Sequence, residues 1–354
     1  MSGKLVNGPL FARVSTGNHE VSRRAPPADG KRTLLGVDEN GLGPLLGPLV
    51  VTAARARATE SGASFAAKKA RGARKTRLGD SKGLVAFGES ALGEAWARAL
   101  ARHAGDDPTS PEELFRRLSV RSHDELRAPC PRAHRDLCFR DGDLFQADED
   151  LVRTCTKDID ALAKKGLELV AVRTVVVCNR RLNEAAARGI SRFQVDLEAM
   201  EDLVLDAHET TREPVMATLG RVGGYTFYGE KFRRLAAYPF ETVAEAPRAS
   251  TYDFGPLGEL SFAQDADASH LLVGLASLVG KWVRDLATAR ITSYLRAHDA
   301  TLPDASGYHD PVTRRFVEGT KALRVRLRVE DACFLRASTK SAPTGASKGR
   351  ARKT

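Results

Sequence analysis

The sequence of 354 residues lacks any long apolar segment. No uninterrupted apolar run approaches the 18 residues that a membrane-spanning helix needs. Residues 1–24 also lack the apolar centre that is typical of a signal peptide. We therefore expect neither a membrane span nor a secretory leader. With 42% apolar residues, the chain can still bury a full core, organised as one large domain or two.

Cysteine is scarce, and its number is odd. The five cysteines are scattered along the chain, at Cys130, Cys138, Cys155, Cys178 and Cys333. This distribution is typical of a protein in the reducing cytoplasm and does not suit a disulfide scaffold. Cys130, His134 and Cys138 could act as zinc ligands, but their spacing is not that of a CxxC pair. We favour the interpretation that they are core or chance residues.

Acidic residues are nearly absent from three basic segments. Residues 1–32 carry a net charge of +4, residues 55–77 carry +7 and residues 336–354 carry +6, in a chain whose total is +10. Their composition predicts a disordered N-terminal arm, a basic loop and a disordered C-terminal tail. Such segments raise affinity for phosphate backbones without sequence specificity, although purely solubilising tails have the same composition.

Two adjacent carboxylates, Asp38 and Glu39, end an apolar run and are followed directly by Gly41, Gly43 and Gly47. Carboxylates at the end of a strand suit a divalent metal, because hard cations prefer oxygen ligands. The glycines allow a backbone to approach a ligand such as a sugar-phosphate chain. This segment is therefore the first candidate for a functional site.

The patterns of apolar residues predict alternating strands and helices. Strands are expected at 33–38, 47–53, 167–178 and 214–219, an extended hairpin at 225–262, and helices at 89–103, 151–165, 196–211 and 267–298. We expect one α/β domain over residues 33–335, with a mixed central sheet flanked by helices. Residues 55–77 are expected to form its basic loop, and residues 104–150 and 225–262 its insertions.

The last predicted helix carries a third carboxylate at its start. Asp267, Gly274 and Lys281 recur every seven residues and therefore share one helix face, away from the apolar stripe. A carboxylate at a helix N-terminus is favoured by the dipole, so Asp267 is also explained as a simple N-cap. In that interpretation the small residues permit close packing and Lys281 is solvated.

Four motifs together resemble the ribonuclease HII family, whose members cut RNA in RNA–DNA hybrids. The family pattern DEAGRGP corresponds to DENGLGP at residues 38–44, and the family DSK to residues 80–82. An aspartate ten residues before the serine of a family ASIxAKxxRD pattern corresponds to Asp267 and Ser277. A later Gly-Tyr pair corresponds to Gly307 and Tyr308.

The resemblance implies an RNase H-like fold and a metal-dependent endonuclease. The substrate would be RNA in RNA–DNA hybrids or ribonucleotides in DNA, and the cofactor Mg²⁺ or Mn²⁺. It implies that the protein binds nucleic acid. We also expect no membrane partner, a monomeric state and a cytoplasmic location. The resemblance assigns catalysis and metal binding to Asp38, Glu39 and Asp267. It assigns substrate binding to Gly41, Gly43, Lys82, Ser277, Lys281 and Tyr308.

This chain departs from the family pattern at two positions. The family arginine between the glycines is Leu42, and the third family carboxylate falls near Gly220, which offers no ligand. Glu213, Glu230 and Asp265 are the nearby acids that could replace it. A second hypothesis is therefore a non-catalytic nucleic-acid-binding protein of the same fold. A third is a metal nuclease of this fold that acts on structured DNA.

Overall fold

The computed structural model describes residues 29–131, 135–139 and 142–337. Its strands are β1 (Arg32–Asn40), β2 (Leu49–Ala58), β3 (Leu167–Val177), β4 (Val215–Gly220), β5 (Glu241–Glu245), β6 (Ala249–Asp253) and β7 (Gly258–Ala263). Its α-helices are α1 (Glu60–Ala66), α2 (Ser81–Leu84), α3 (Ala91–His103), α4 (Pro111–Leu118), α5 (His123–Arg127), α6 (Arg135–Cys138), α7 (Glu149–Ala163), α8 (Asn179–Ala187), α9 (Arg192–Thr211), α10 (Ala266–Ser269), α11 (Leu271–Arg296), α12 (Pro311–Gly319), α13 (Lys321–Arg326) and α14 (Asp331–Phe334).

The seven described strands form one mixed sheet in the order β3-β2-β1-β4-β7-β6-β5. The first three strands are antiparallel neighbours, whereas β1 and β4, and then β4 and β7, run parallel. The remaining two strands extend the sheet as an antiparallel hairpin. The predicted α/β class, with a mixed central sheet flanked by helices, is confirmed.

Strand β1 loses one of its two neighbours before it ends. Its pairing with β4 stops at Val37 opposite Leu219, whereas its pairing with β2 continues to Asn40 opposite Val50. The last three residues of β1 are therefore paired on one side only. A gap opens beside Asp38 and Glu39, at the end of the two central parallel strands.

Helices cover both faces of the sheet. On one face, α3, α7 and α11 bury an apolar core that includes Trp96, Leu275 and Trp282. On the other face, α9 packs over the central strands beside an aromatic group that includes Tyr228 and Phe262. Burial of these large side chains is the main favourable contribution to folding. No described helix is long and apolar enough to cross a membrane.

All four predicted helices differ in their bounds from the observed ones, two of them by no more than two residues at either end. Helix α9 begins at Arg192, four residues early, because Ser191 caps it by accepting from the backbone N–H of Gln194. The predicted helix at 267–298 is interrupted at His270, whose backbone is extended, so Asp267 lies in the short α10. Asp267 is therefore not the N-cap of the long helix.

The predicted basic segments are only partly loops or tails. Within residues 55–77, β2 continues to Ala58 and Thr59 caps α1, so the predicted loop begins with regular structure. At the other end, Arg336 is buried against the body of the protein, so the predicted tail cannot begin there. Residues 1–28 and 338–354, which hold the rest of the predicted arm and tail, lie outside the described residues.

A substitution at Gly36 tests the contact between β1 and α11. A Cβ atom there would lie 2.4 Å from the backbone carbonyl carbon and the Cβ of Leu272, and backbone atoms cannot easily move. We expect Gly36→Ala to lower the free energy of unfolding by about 3 kcal/mol, because the packed layers would have to separate. Urea denaturation measures this loss. Gly83→Ala is the control, since nothing lies within 4 Å of its Cβ position, and equal losses would contradict the argument.

Candidate functional site

A cleft of about 740 Å³ opens where β1 and β4 end. All nine residues singled out by the motifs line it, although they come from four separate segments of the chain. They are Asp38, Glu39, Gly41, Gly43, Lys82, Asp267, Ser277, Lys281 and Tyr308. The fold therefore brings the motifs together, while the roles of these residues remain predictions.

Asp38 is held on the side of the sheet that faces α11. Its carboxylate accepts a hydrogen bond from the hydroxyl of Ser277. Desolvation raises the pKa of Asp38 well above its ordinary value, and the negative charges of Asp267 and Glu39 raise it further. The nearby positive charge of Lys82 opposes this only in part. The site thus holds negative charges that the protein compensates weakly.

Ser277 connects two of the motifs. Its buried hydroxyl lies 2.9 Å from that of Ser81, so it joins α2 to Asp38. Asp80 caps the same short helix, because its Oδ1 accepts from the backbone N–H of Lys82 at 2.9 Å. These bonds hold the DSK segment at the rim of the cleft, where the side chain of Lys82 is exposed.

Asp196 is a further acid of this site, and the sequence analysis missed it. It lies on α9 and is 0% exposed, and among the described residues neither of its carboxylate oxygens has a hydrogen-bond partner. Burial raises its pKa well above the ordinary value, with further contributions from Glu39 and then Asp38. The missed signal was an acid within the apolar stripe that contains Phe193 and Met200.

Glu39 faces the opposite layer from Asp38. It interacts with Asp196 of α9, and its Oε2 accepts from the backbone N–H of Leu42 at 3.1 Å. Desolvation raises the pKa of Glu39, and the backbone bond and the charge of Lys82 oppose the shift. Adjacent strand residues point to opposite faces, so the pair flanks the end of β1 from both sides.

Asp267 lies near two further acids, Asp80 and Asp265. Desolvation raises its pKa, Asp80 raises it further, and Lys82 opposes the shift. Asp265 also contributes to the shift and lines the cleft. Of the three acids considered as replacements for the missing family carboxylate, only Asp265 lies there. Glu213 pairs with Arg57, and Glu230 is exposed and does not line the cleft.

Gly220 lies directly against Asp38. A Cβ atom added to this glycine would lie 2.7 Å from Oδ1 of Asp38. The side chain of Asp38 thus occupies the space next to the position where the family pattern has its third acid. Among the described residues, no three His, Cys, Asp or Glu side chains are arranged to hold a metal ion as they stand.

Arg284 and Tyr308 also line the cleft. The guanidinium of Arg284 lies over the ring of Tyr308, 4.4 Å from its centroid, and Tyr308 is 46% exposed. Nε of Arg284 would be 2.7 Å from a Cβ at Gly41, whose φ of +94° also favours glycine. Lys281 donates to Asp285 at 2.6 Å, so its ammonium is already paired.

The donor chemistry of the cleft fits a hard divalent cation. Asp38, Glu39 and Asp267 supply only oxygen ligands, which Mg²⁺ and Mn²⁺ prefer. Within the part of the chain that the structure describes, the buried oxygens of Asp196 have no hydrogen-bond partner, and a nearby cation would offset that cost. To hold one ion together, these carboxylates would have to move closer, because no three of the described ones converge as they stand.

Comparisons with known proteins find similarity only among solved structures. No protein-family model and no curated protein match the chain. A chain of the PCNA:RNase HII complex from Archaeoglobus fulgidus is 15% identical over 88% of this chain and 96% of that one, with a TM-score of 0.40. Ribonuclease H2 from Pyrococcus horikoshii OT3 is 17% identical over 86% and 92%, with a TM-score of 0.41.

Bst-RNase HIII in complex with Mn²⁺ is also similar, at 12% identity over 88% of this chain and 77% of that one, with a TM-score of 0.35. Two of these names contain RNase HII or ribonuclease H2, and the third contains RNase HIII. At these identities, and at TM-scores below 0.5, the similarity carries no argument about activity or ligands. The chemistry of the site rests on the chain's own residues.

The two described cysteines that were considered as zinc ligands lie away from this cleft. Cys130 and Cys138 are free thiols and line no part of it. Burial raises the pKa of Cys130 to about 11, so this thiol does not readily supply a thiolate ligand. His134 lies outside the described residues. The interpretation of these residues as core or chance positions stays a prediction.

A pH-dependent stability is expected from His270, the residue between α10 and α11. Burial lowers its pKa from 6.5 to about 4. Below pH 6.5 the histidine binds a proton in the unfolded chain but stays neutral in the folded chain. Its contribution to stability is therefore full above that pH and is lost as the pH falls toward 4. Between pH 7.5 and pH 5 the wild type should lose free energy of unfolding, and this imidazole should account for about 2 kcal/mol of that loss. The loss should be smaller by that amount in His270→Phe.

Urea denaturation at the two pH values measures this difference. The exposed His103 provides the matched control, because His103→Phe should leave the loss as it is in the wild type. An unchanged pH dependence in His270→Phe would contradict the assignment of the loss to this imidazole.

Proposed function

We propose that this chain is a metal-dependent endonuclease with an RNase H-like fold. Its proposed substrate is RNA in RNA–DNA hybrids, or a ribonucleotide within DNA, and its proposed cofactor is Mg²⁺ or Mn²⁺. One observation carries the proposal: nine residues from four separated sequence motifs line a single cleft with acids at its base. No simple N-cap or solubilising role requires these segments to meet.

The proposed metal ligands are Asp38, Glu39 and Asp267. A divalent ion bound to them would polarise the phosphodiester and lower the pKa of a bound water. Asp38 is oriented by Ser277 and Glu39 by the backbone of Leu42. Asp196, buried near Glu39, repels that carboxylate, and a bound cation would relieve this repulsion.

The proposed substrate contacts lie around this acidic base. Gly43 is exposed, and nothing lies within 4 Å of its Cβ position. Its carbonyl oxygen lies 3.1 Å from Nε2 of His309, so its backbone N–H is the group proposed to meet a ribose 2′-hydroxyl. That hydroxyl distinguishes RNA from DNA. Lys82 at the rim would contact a phosphate, and the exposed face of Tyr308 would contact a sugar. Gly41, Ser277 and Lys281 are already engaged within the protein and would support these contacts.

Cleavage of a labelled RNA–DNA hybrid in Mn²⁺ tests the proposal. We expect Asp38→Asn to lower the cleavage rate at least about 100-fold, because charge stabilisation at the reacting phosphate is lost. Asp160→Asn, at an exposed position on α7, is the matched control. Parallel assays with duplex DNA and branched DNA identify the substrate class. Equal cleavage by Asp38→Asn and the wild type would overturn the assignment.

The role of Asp196 is tested through metal affinity. We expect Asp196→Asn to raise the Mn²⁺ concentration for half-maximal cleavage by about tenfold, as is usual when a residue behind a metal ligand is replaced. Calorimetric titration with Mn²⁺ provides a readout that does not depend on turnover. Unchanged Mn²⁺ affinity would show that Asp196 does not support the ligands.

A second candidate function is nucleic-acid binding without cleavage. It is favoured by Gly220 at the place of the third family carboxylate and by the lack of three converging ligands among the described residues. This function predicts salt-dependent hybrid binding without turnover. Metal-dependent cleavage that Asp267→Asn abolishes would exclude it.

A further inference from the structure

The turn that follows Glu39 is bound by an arginine from the C-terminal end of the described chain. We call residues 41–47 the glycine loop. Arg336 is 5% exposed, and its guanidinium donates to three backbone carbonyls of this loop. Nε and Nη2 bond Gly47 at 3.0 and 2.6 Å, and Nη1 bonds Gly41 at 2.5 Å and Leu42 at 3.3 Å.

The backbone of the same region completes the attachment. The N–H of Arg336 donates to the carbonyl of Leu45 at 3.0 Å. On the other side, the N–H groups of Leu45 and Leu46 donate to the carbonyl of Gly307 at 2.8 and 3.1 Å. The glycine loop is thus held between two segments that follow it by more than 250 residues. Its shape depends on them and not on local turn chemistry alone.

Arg336 also brings positive charge to the acidic end of β1. Its charge opposes the raised pKa of Glu39, as does that of Arg284. The resemblance places an arginine between the glycines, where this chain has Leu42. The side chain of Arg336 reaches the backbone of that residue from the protein interior. It therefore supplies a cation at the loop without projecting into the cleft, which it does not line.

We infer that Arg336 is a positioning residue for the proposed site. It fixes the glycine loop so that Glu39 and the exposed backbone of Gly43 keep their places beside the cleft. The inference rests on the proposed nuclease function for its kinetic consequence, but its structural content is independent of turnover. A planar guanidinium suits the task, because it donates in several fixed directions at once, whereas an ammonium acts as a point charge.

The test compares full-length wild type, Arg336→Gln and Arg336→Lys. Hydrogen–deuterium exchange follows the amides of residues 41–47, and steady-state kinetics follow hybrid cleavage in Mn²⁺. We expect the loop amides of Arg336→Gln to exchange at least about tenfold faster than those of the wild type. We also expect its kcat to fall about 10- to 100-fold, with a smaller change in KM. Arg336→Lys should recover part of both effects.

Arg326→Gln is the matched control, because Arg326 is exposed on α13. It should leave loop exchange and kinetics as in the wild type. If Arg336→Gln does not fold, Arg336→Lys alone decides. Exchange that is faster than in the wild type and confined to the loop amides then supports the inference. Loop exchange equal to that of the wild type, or a uniform increase over the whole chain, would overturn it. Failure of the wild type to cleave would refute the proposed function, while the exchange data would still decide the role of Arg336.

Discussion

Close contact between α11 and β1 determines where the site forms. Gly36 on the strand lies against Leu272, and Gly280 on the helix lies against Asn40 and Thr52, where a Cβ atom would be within 2.7 Å of either side chain. Any larger residue at these two glycines would push the layers apart. Because they touch, Ser277 lies between the two glycine contacts and reaches Asp38. The helix that carries Ser277, Lys281 and Arg284 is thereby held along one wall of the cleft.

Electrostatics then distinguishes this region from the rest of the surface. Acids from β1, α9 and α10 lie in or next to the cleft, and burial raises the pKa of each. Such an arrangement costs folding free energy and is typical of functional sites. The arginines of the region lie around the acids. Arg284 packs on Tyr308 and Arg336 binds the glycine loop, and the charges of both oppose the raised pKa of Glu39.

Much of this arrangement was predictable from sequence, for identifiable reasons. Asp38, Lys82, Asp267 and Ser277 belong to short motifs whose spacing is local, and strands such as β1 follow from apolar runs bounded by glycine. Other features were not predictable. The apolar pattern predicts a helix that starts at Asp196, where an acid is ordinary. The helix in fact starts earlier, because Ser191 caps it, and Asp196 lies inside it. The small and basic neighbours of Arg336 predict a disordered tail. Only its contacts with residues 41–47 show that it belongs to the folded domain.

The sequence by itself determined the elements and the types of residue available for chemistry, because helix and strand patterns and turn residues act over a few positions. It thereby identified the adjacent carboxylates of β1 and the motifs that accompany them. Tertiary structure alone decided which further groups join them. Asp196 and Arg336 reach the end of β1 across more than 150 residues of chain, through layer packing and burial. Gly220 is significant only because Asp38 fills the space beside it. These contacts depend on distances in space, which a single sequence does not contain.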